Sequence, residues 1–129
     1  MPSKIRLKRI SDRIKEELSE MLVKEIQDPR LSGVMVTDVR VDRELAFADV
    51  FVSAVEGSQR SKEVLVGLQH AATYLRSALA TRIDLRVFPR LRFSWDPTPE
   101  RADHIERLLA SLRDEPTPPS PEEDEDPDE

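Results

Sequence analysis

The sequence predicts an α+β fold of two layers, with helices on one side of a small sheet. Three observations predict it. Apolar residues recur at helical spacing in three separate stretches. Other stretches are rich in β-branched residues or alternate apolar with polar. The two kinds follow one another in the order α-β-β-α-β-α.

The first stretch predicts a helix from about Ser3 to Gln27. Ile10, Ile14, Leu18, Leu22 and Ile26 recur every four residues, with Leu7 and Met21 beside them on the same stripe. Asp28-Pro29 stops it, because proline disfavours a helical residue before it, and Gly33 follows closely. Val34–Val41 predicts a strand with Met35, Val39 and Val41 on one face and Asp38 and Arg40 on the other. After the polar link Asp42-Arg43-Glu44, Leu45–Val55 predicts a second strand. There Ala48, Val50, Val52 and Ala54 share one face, and Phe47, Asp49, Phe51 and Ser53 the other. Strands this close in sequence are expected to pair as an antiparallel hairpin.

Gly57-Ser58 opens a loop, and Val64, Leu65, Leu68, Ala71, Ala72, Leu75 and Leu79 predict a helix over about Ser61–Arg82. Leu85–Trp95 predicts the last strand. Its odd positions (Leu85, Val87, Pro89, Leu91, Phe93, Trp95) are apolar, so Arg86, Phe88, Arg90, Arg92 and Ser94 are expected on the wet face. Pro89 cannot donate to a ladder, which predicts an edge strand or a bulge. Thr98-Pro99-Glu100 reads as an N-cap with proline at the first helical position. Ile105, Leu108, Leu109 and Leu112 make the helix that follows amphipathic, ending near Arg113.

Length and charge divide the chain unevenly. A chain of 129 residues fits one domain of ordinary size, able to bury a core without staples. Cysteine is absent, which excludes disulfides, thiolate metal sites and a cysteine nucleophile. Residues 114–129 hold nine of the 26 acids and none of the 20 bases, so residues 1–113 carry a net charge of +3 beneath an overall −6. That acidic stretch has five prolines and no large apolar residue. It is expected to be a disordered tail from about Asp114, because it cannot bury enough surface to offset its ordering entropy. It acts either as a solubilising brush, the reading favoured by composition, or as an acidic competitor for the domain's own basic face. No apolar run approaches the roughly 20 residues that span a bilayer, and the charged N-terminus lacks the apolar stretch of a signal peptide. A cytoplasmic location is expected.

No catalytic constellation is legible. His70 and His104 each stand alone within a predicted helix, and the only glycines are Gly33, Gly57 and Gly67, too scattered for a phosphate loop. Carboxylates are interspersed with bases, as on solvated faces. Asp38 and Asp49 fall within reach of one another on the exposed side of the predicted hairpin, and like charges there are weak evidence for acid–base chemistry. No enzyme activity, cofactor or metal is expected.

Two basic stretches point to nucleic acid instead. Lys4, Arg6, Lys8, Arg9, Arg13 and Lys15 face a single acid, Asp12, within fifteen residues. Lys4 with Lys8, and Arg9 with Arg13, are four apart and project as neighbours on a helix. The second stretch is Arg76, Arg82, Arg86, Arg90 and Arg92. Arginine offers a planar fork for phosphate and a flat face for stacking on bases, and Phe88 falls among these residues. The same charges would also suit an ordinary solvated surface.

Several motifs in register resemble the ribosome-binding factor A family. They are Ile10-Ser11-Asp12-Arg13-Ile14 with Leu18, Asp28-Pro29-Arg30-Leu31, Val39-Arg40-Val41 and Ala48-Asp49-Val50-Phe51-Val52-Ser53. Val64-Leu65-Val66-Gly67-Leu68, Leu75-Arg76-Ser77 and Leu85–Asp96 continue the likeness, which covers about residues 3–112. The resemblance implies a KH-like fold of type II without the GXXG loop. A central pair of helices, kinked at an Ala-x-Gly motif, stands in that loop's place. Here the motif reads Ala71-Ala72-Thr73, with threonine in place of glycine, so a milder kink or another backbone solution is expected.

What the resemblance implies about function is a non-catalytic factor that binds the free small (30S) ribosomal subunit late in assembly. It would promote maturation of the 5′ end of 16S rRNA and support growth in the cold, with functional links to assembly GTPases and initiation factors. A KH-like domain over 1–113, monomeric and without membrane contact, is expected to hold rRNA. The contact residues expected are Lys4, Arg6, Lys8, Arg9, Arg13, Arg76, Arg82, Arg86, Arg90 and Arg92. The alternative is a protein-interaction adaptor whose outward Phe47, Phe51 and Phe88 dock a partner, unless the last helix covers them through Ile105 and Leu109.

Overall fold

The computed structural model describes residues 3–114, with side chains through Arg113. Residues 115–129, nearly all of the expected acidic tail, lie outside the described residues. The elements run α1 (Lys4–Lys24), β1 (Val34–Val41), β2 (Phe47–Ala54), α2 (Ser61–Arg82), β3 (Arg90–Trp95) and α3 (Thr98–Asp114). The chain divides into two compact units at Pro97, with α3 in the second. Within α3, Ile105, Leu108, Leu109 and Leu112 are more than half exposed.

The α1 stripe is buried as its period requires: Ile10, Ile14, Leu18, Met21 and Leu22 face the core. Ser3 caps the helix by accepting from the Arg6 N–H at 3.1 Å. At the other end Asp28 begins a short 3-10 helix, Pro29–Leu31, and its carboxylate accepts from the Arg30 N–H. Leu31 is thereby turned inward, 3 % exposed.

The sheet has the order β1-β2-β3, with β1 antiparallel to β2 as expected and β3 parallel to β2. Asp42 closes the hairpin by accepting from the Ala46 and Phe47 N–H groups, while Leu45 takes a positive φ of 58°. The core lies between the sheet's inner face and the two long helices. Val39, Ala48, Val50 and Val52 are buried with Ile14 and Leu18 of α1 and with Val64, Leu68, Leu75 and Leu79 of α2.

Three expectations need correction. The pairing slips between Val36 and Asp38, so Thr37 forms a bulge and the alternation changes phase there. Val34 and Val36 therefore share the buried face with Val39, while Met35 is 42 % exposed. The second correction concerns the last strand, which begins at Arg90 rather than Leu85. Ahead of it the chain is irregular, with Val87 exposed at 67 % and Phe88 buried at 6 %, the reverse of the expected phase. Pro89 explains the break, because it closes the irregular segment and leaves the ladder to start after it. The strand is an edge, as Pro89 predicts.

The third concerns the central helix pair. α2 runs without interruption from Ser61 to Arg82 across Ala71, Ala72 and Thr73. Two alanines and an exposed threonine contain neither proline nor glycine, so nothing in that triplet interrupts the helical ladder. The one glycine in α2, Gly67, serves packing instead: a Cβ there would lie 3.0 Å from Leu31 Cδ2 and 3.3 Å from Arg30 Cβ. The Pro29–Leu31 turn rests against that gap.

Candidate nucleic-acid interface

The first half of α1 presents its bases to solvent. Lys4, Arg6, Lys8, Arg9 and Arg13 are all exposed. The first turn of the helix contains no acid, although the N-terminal dipole favours one. Bases there repel the positive end of the helix, a local cost that a bound anion would relieve. Lys8 donates to Asp12 at 2.7 Å, and that hydrogen bond raises its pKa above the ordinary lysine value, so it stays charged. Both partners are more than half exposed. Such a pair contributes little and exchanges readily for another anion. Lys4, Arg6 and Arg9 make no ion pair among the described residues.

The second stretch divides by role. Arg76 points back into its own unit: its guanidinium donates to the Phe88 carbonyl at 2.6 Å and to the Pro89 carbonyl at 3.2 Å. It ties α2 to the irregular segment ahead of β3. Arg82 lies between two carboxylates, 2.7 Å from Glu25 at the C-cap of α1 and 3.5 Å from Glu17 within it. The Glu25 hydrogen bond raises the pKa of Arg82, and Arg82 in turn lowers that of Glu25, which also accepts from the Tyr74 hydroxyl. Arg13 donates to the Arg82 carbonyl at 3.2 Å. The two basic stretches, far apart in sequence, thus meet where the end of α2 lies beside α1. Arg86 and Arg90 are exposed and make no ion pair among the described residues.

On the outer face of the sheet two arginines lie over two phenylalanines. The Arg92 guanidinium carbon sits 4.0 Å from the centre of the Phe47 ring, and that of Arg40 5.5 Å from Phe51. Arg92 also donates to both oxygens of Asp49, at 2.7 and 3.2 Å, and Arg40 to Asp38 at 3.1 Å. Phe88 is not part of this face, because it is in the core. Sequence reasoning missed Arg40 as a member of a basic face. It also missed Phe47 and Phe51 as supports for arginine. The alternation of Phe47, Asp49 and Phe51 was the available signal, but their cross-strand partners follow only from the strand order.

Arg60, also unassigned from sequence, organises the opposite corner. Only 14 % of its side chain is exposed. It donates to the Ser32 and Arg30 carbonyls at 2.7 and 3.0 Å, and pairs with Glu56 and Glu63. Arg30 in turn forks onto Asp28 and reaches His70 Nδ1 at 3.2 Å. Because arginine only donates, that nitrogen accepts, and His70 is held as a structural partner. His104 stands exposed on α3.

Fold and surface together define a small KH-like α+β domain that presents a basic helix and an arginine-bearing sheet. The family model of Ribosome-binding factor A matches residues 6–109. The chain belongs to the ribosome-binding factor A family. A ribosome-binding factor A of Alcanivorax borkumensis is 39 % identical over 121 residues, 93 % of this chain and 88 % of the relative. One from Nitrosomonas europaea is 43 % identical over 101 residues, covering 78 % and 86 %. The crystal structure of ribosome-binding factor A from Thermus thermophilus superposes with a TM-score of 0.63 at 29 % identity, covering 69 % of this chain and 93 % of that one.

Proposed function

We propose that this protein binds the free small (30S) ribosomal subunit and acts late in its assembly, as a non-catalytic factor. The observation that carries the reading is the family match over residues 6–109, whose members are named for binding ribosomes. The exposed bases of α1 support it, because a row of lysine and arginine against the dipole suits a phosphate backbone. In this reading Lys4, Arg6, Lys8, Arg9 and Arg13 meet rRNA directly, joined by Arg86, Arg90 and Arg92. Arg76 and Arg82 contribute mainly by holding α2 against β3 and α1. Binding energy then favours one rRNA conformation over others, which is how a protein without catalytic groups promotes 5′-end maturation of 16S rRNA, in the cold above all. Assembly GTPases and initiation factors act on the same subunit, and the protein works in the cytoplasm as a monomer.

Co-sedimentation with small subunits, large subunits and assembled ribosomes across a salt series tests this. Selective pelleting with small subunits, weakening steeply as salt rises, is the expected result. A folded protein that pellets with none of them at low salt overturns the reading.

A further inference from the structure

We infer that the outer face of the sheet is a base-stacking site for single-stranded RNA, built from Arg40 on Phe51 and Arg92 on Phe47, with Arg90 beside them for phosphate. The inference deepens the proposed function and rests on it for the identity of the RNA.

The register places these side chains on one surface. Asp38 pairs with Phe51 and Arg40 with Asp49 across the hairpin, and Phe47 pairs with Arg90 and Asp49 with Arg92 on the other side of β2. Period two then keeps Phe47, Asp49 and Phe51 on the face opposite the buried Ala48, Val50 and Val52. The arginine side chains stay open to solvent, Arg40 at 74 % and Arg92 at 53 %.

The chemistry of the two arginines selects the ligand. Asp49 takes the Nε and Nη2 edge of Arg92, and Asp38 takes Nε of Arg40. Those bonds take the Nε edge of each arginine, so the carboxylate beside it offsets part of its charge toward phosphate while the other Nη hydrogens stay available. The Arg92 guanidinium carbon lies 4.0 Å over the Phe47 ring, within stacking distance, and that of Arg40 lies 5.5 Å over Phe51, a looser cation–π contact. With both side chains more than half exposed, the side of each guanidinium away from its ring is open to solvent, and a planar cation of this kind stacks on a nucleobase. The carboxylates therefore fix the planes while reducing the attraction for duplex backbone, which favours unpaired bases over helical RNA. Arg90, exposed and with no ion pair among the described residues, supplies the phosphate contact at the edge strand. The arginines over the two rings also argue against a protein dock: an apolar interface would leave Phe47 and Phe51 bare, not beneath charged groups.

Anisotropy of a short fluorescent oligoadenylate titrated with the intact protein tests the inference, in parallel with small-subunit pelleting. The variant Arg40→Lys/Arg92→Lys keeps every charge and loses both flat faces. It should bind the oligonucleotide more weakly, by about tenfold per lost stack, with the salt slope unchanged. Phe47→Leu/Phe51→Leu should weaken binding in the same way, and Arg90→Ala should lower the salt slope by about one. Circular dichroism of each variant verifies the fold. Lysine and leucine variants that bind the oligonucleotide as tightly as the parent overturn the stacking site, whether or not small subunits still pellet. Loss of pelleting by the parent protein with oligonucleotide stacking intact would sink the ribosome reading alone.

Discussion

Replacing Arg60 with alanine removes a guanidinium that joins the start of α2 to the turn after α1. It donates to two backbone carbonyls, Ser32 and Arg30, and pairs with Glu56 and Glu63. A hydrogen bond from a charged donor contributes about 1.5–3 kcal/mol. Ser32 is exposed, so water reaches its carbonyl in the variant and recovers part of that amount. The bond to the Arg30 carbonyl is part-buried, and the Glu pairs are exposed enough to add little. The expected loss is about 2–4 kcal/mol in total. For a unit of this size each kcal/mol lowers Tm by about 4–8 °C, so a fall of at least about 8 °C is expected in a thermal melt followed by circular dichroism. Arg60→Lys retains the charge but has no planar fork, and should fall between the two. A melting temperature for Arg60→Ala within about 2 °C of the parent would refute the reasoning, because by this scale it leaves less than about 1 kcal/mol for both carbonyl bonds together.

Gly67→Ala gains about 1 kcal/mol of helix propensity but drives a Cβ to 3.0 Å from the buried Leu31, an overpacking cost of about 1–3 kcal/mol. Chemical denaturation should show a net loss of about 1 kcal/mol, and a gain would mean Leu31 moves aside freely. Asp28 is held below the ordinary carboxylate range, first by the Arg30 side chain and then by the Arg30 N–H. Its stabilising effect is therefore complete above its unfolded pKa and disappears as pH falls through the lower folded one. Melting temperature should stay level from neutrality to about pH 4 and drop below it, and Asp28→Asn should melt lower at neutrality with a smaller acid drop. An identical acid drop in the variant would assign that drop to Glu25 and Glu56, whose pKa values are lowered too. Arg76→Ala should lower Tm, because the Phe88 and Pro89 carbonyls lose their donor. Arg86→Ala and Arg90→Ala should leave Tm unchanged and each reduce the salt slope of RNA binding by about one. Equal melting temperatures for all three would place Arg76 among the surface charges. Deleting residues 115–129 should tighten RNA binding at low salt if the acidic stretch competes for the basic face, and leave it unchanged if that stretch only solubilises.

Local pattern alone determined most of the elements of this protein. The four-residue stripe from Ile10 to Leu22 placed α1, and the bounds Ser61 and Arg82 for α2 follow from its apolar face and flanking loop. The alternation from Phe47 to Ala54 assigned both faces of β2, and Pro89 put β3 at an edge. Each of these rests on interactions within one or two turns of chain, so the residues themselves carry the information. The family likeness was legible for the same reason, as short motifs in a fixed order.

Tertiary structure decided what periodicity cannot express. The bulge at Thr37 reverses the phase of β1, and the irregular chain ahead of Arg90 buries Phe88, because a ladder registers on its partner and not on its own alternation. Thr73 left α2 whole, since a helix breaks only where the backbone ladder is interrupted. The arginines separated most of all. Arg76 and Arg92 are alike in sequence, yet one seals two buried-side carbonyls and the other lies open on Phe47. Which role an arginine takes depends on what chain closure sets near it, and Arg92 comes over Phe47, diagonal to its register partner Asp49, only because β3 returns parallel to β2 at the sheet's edge.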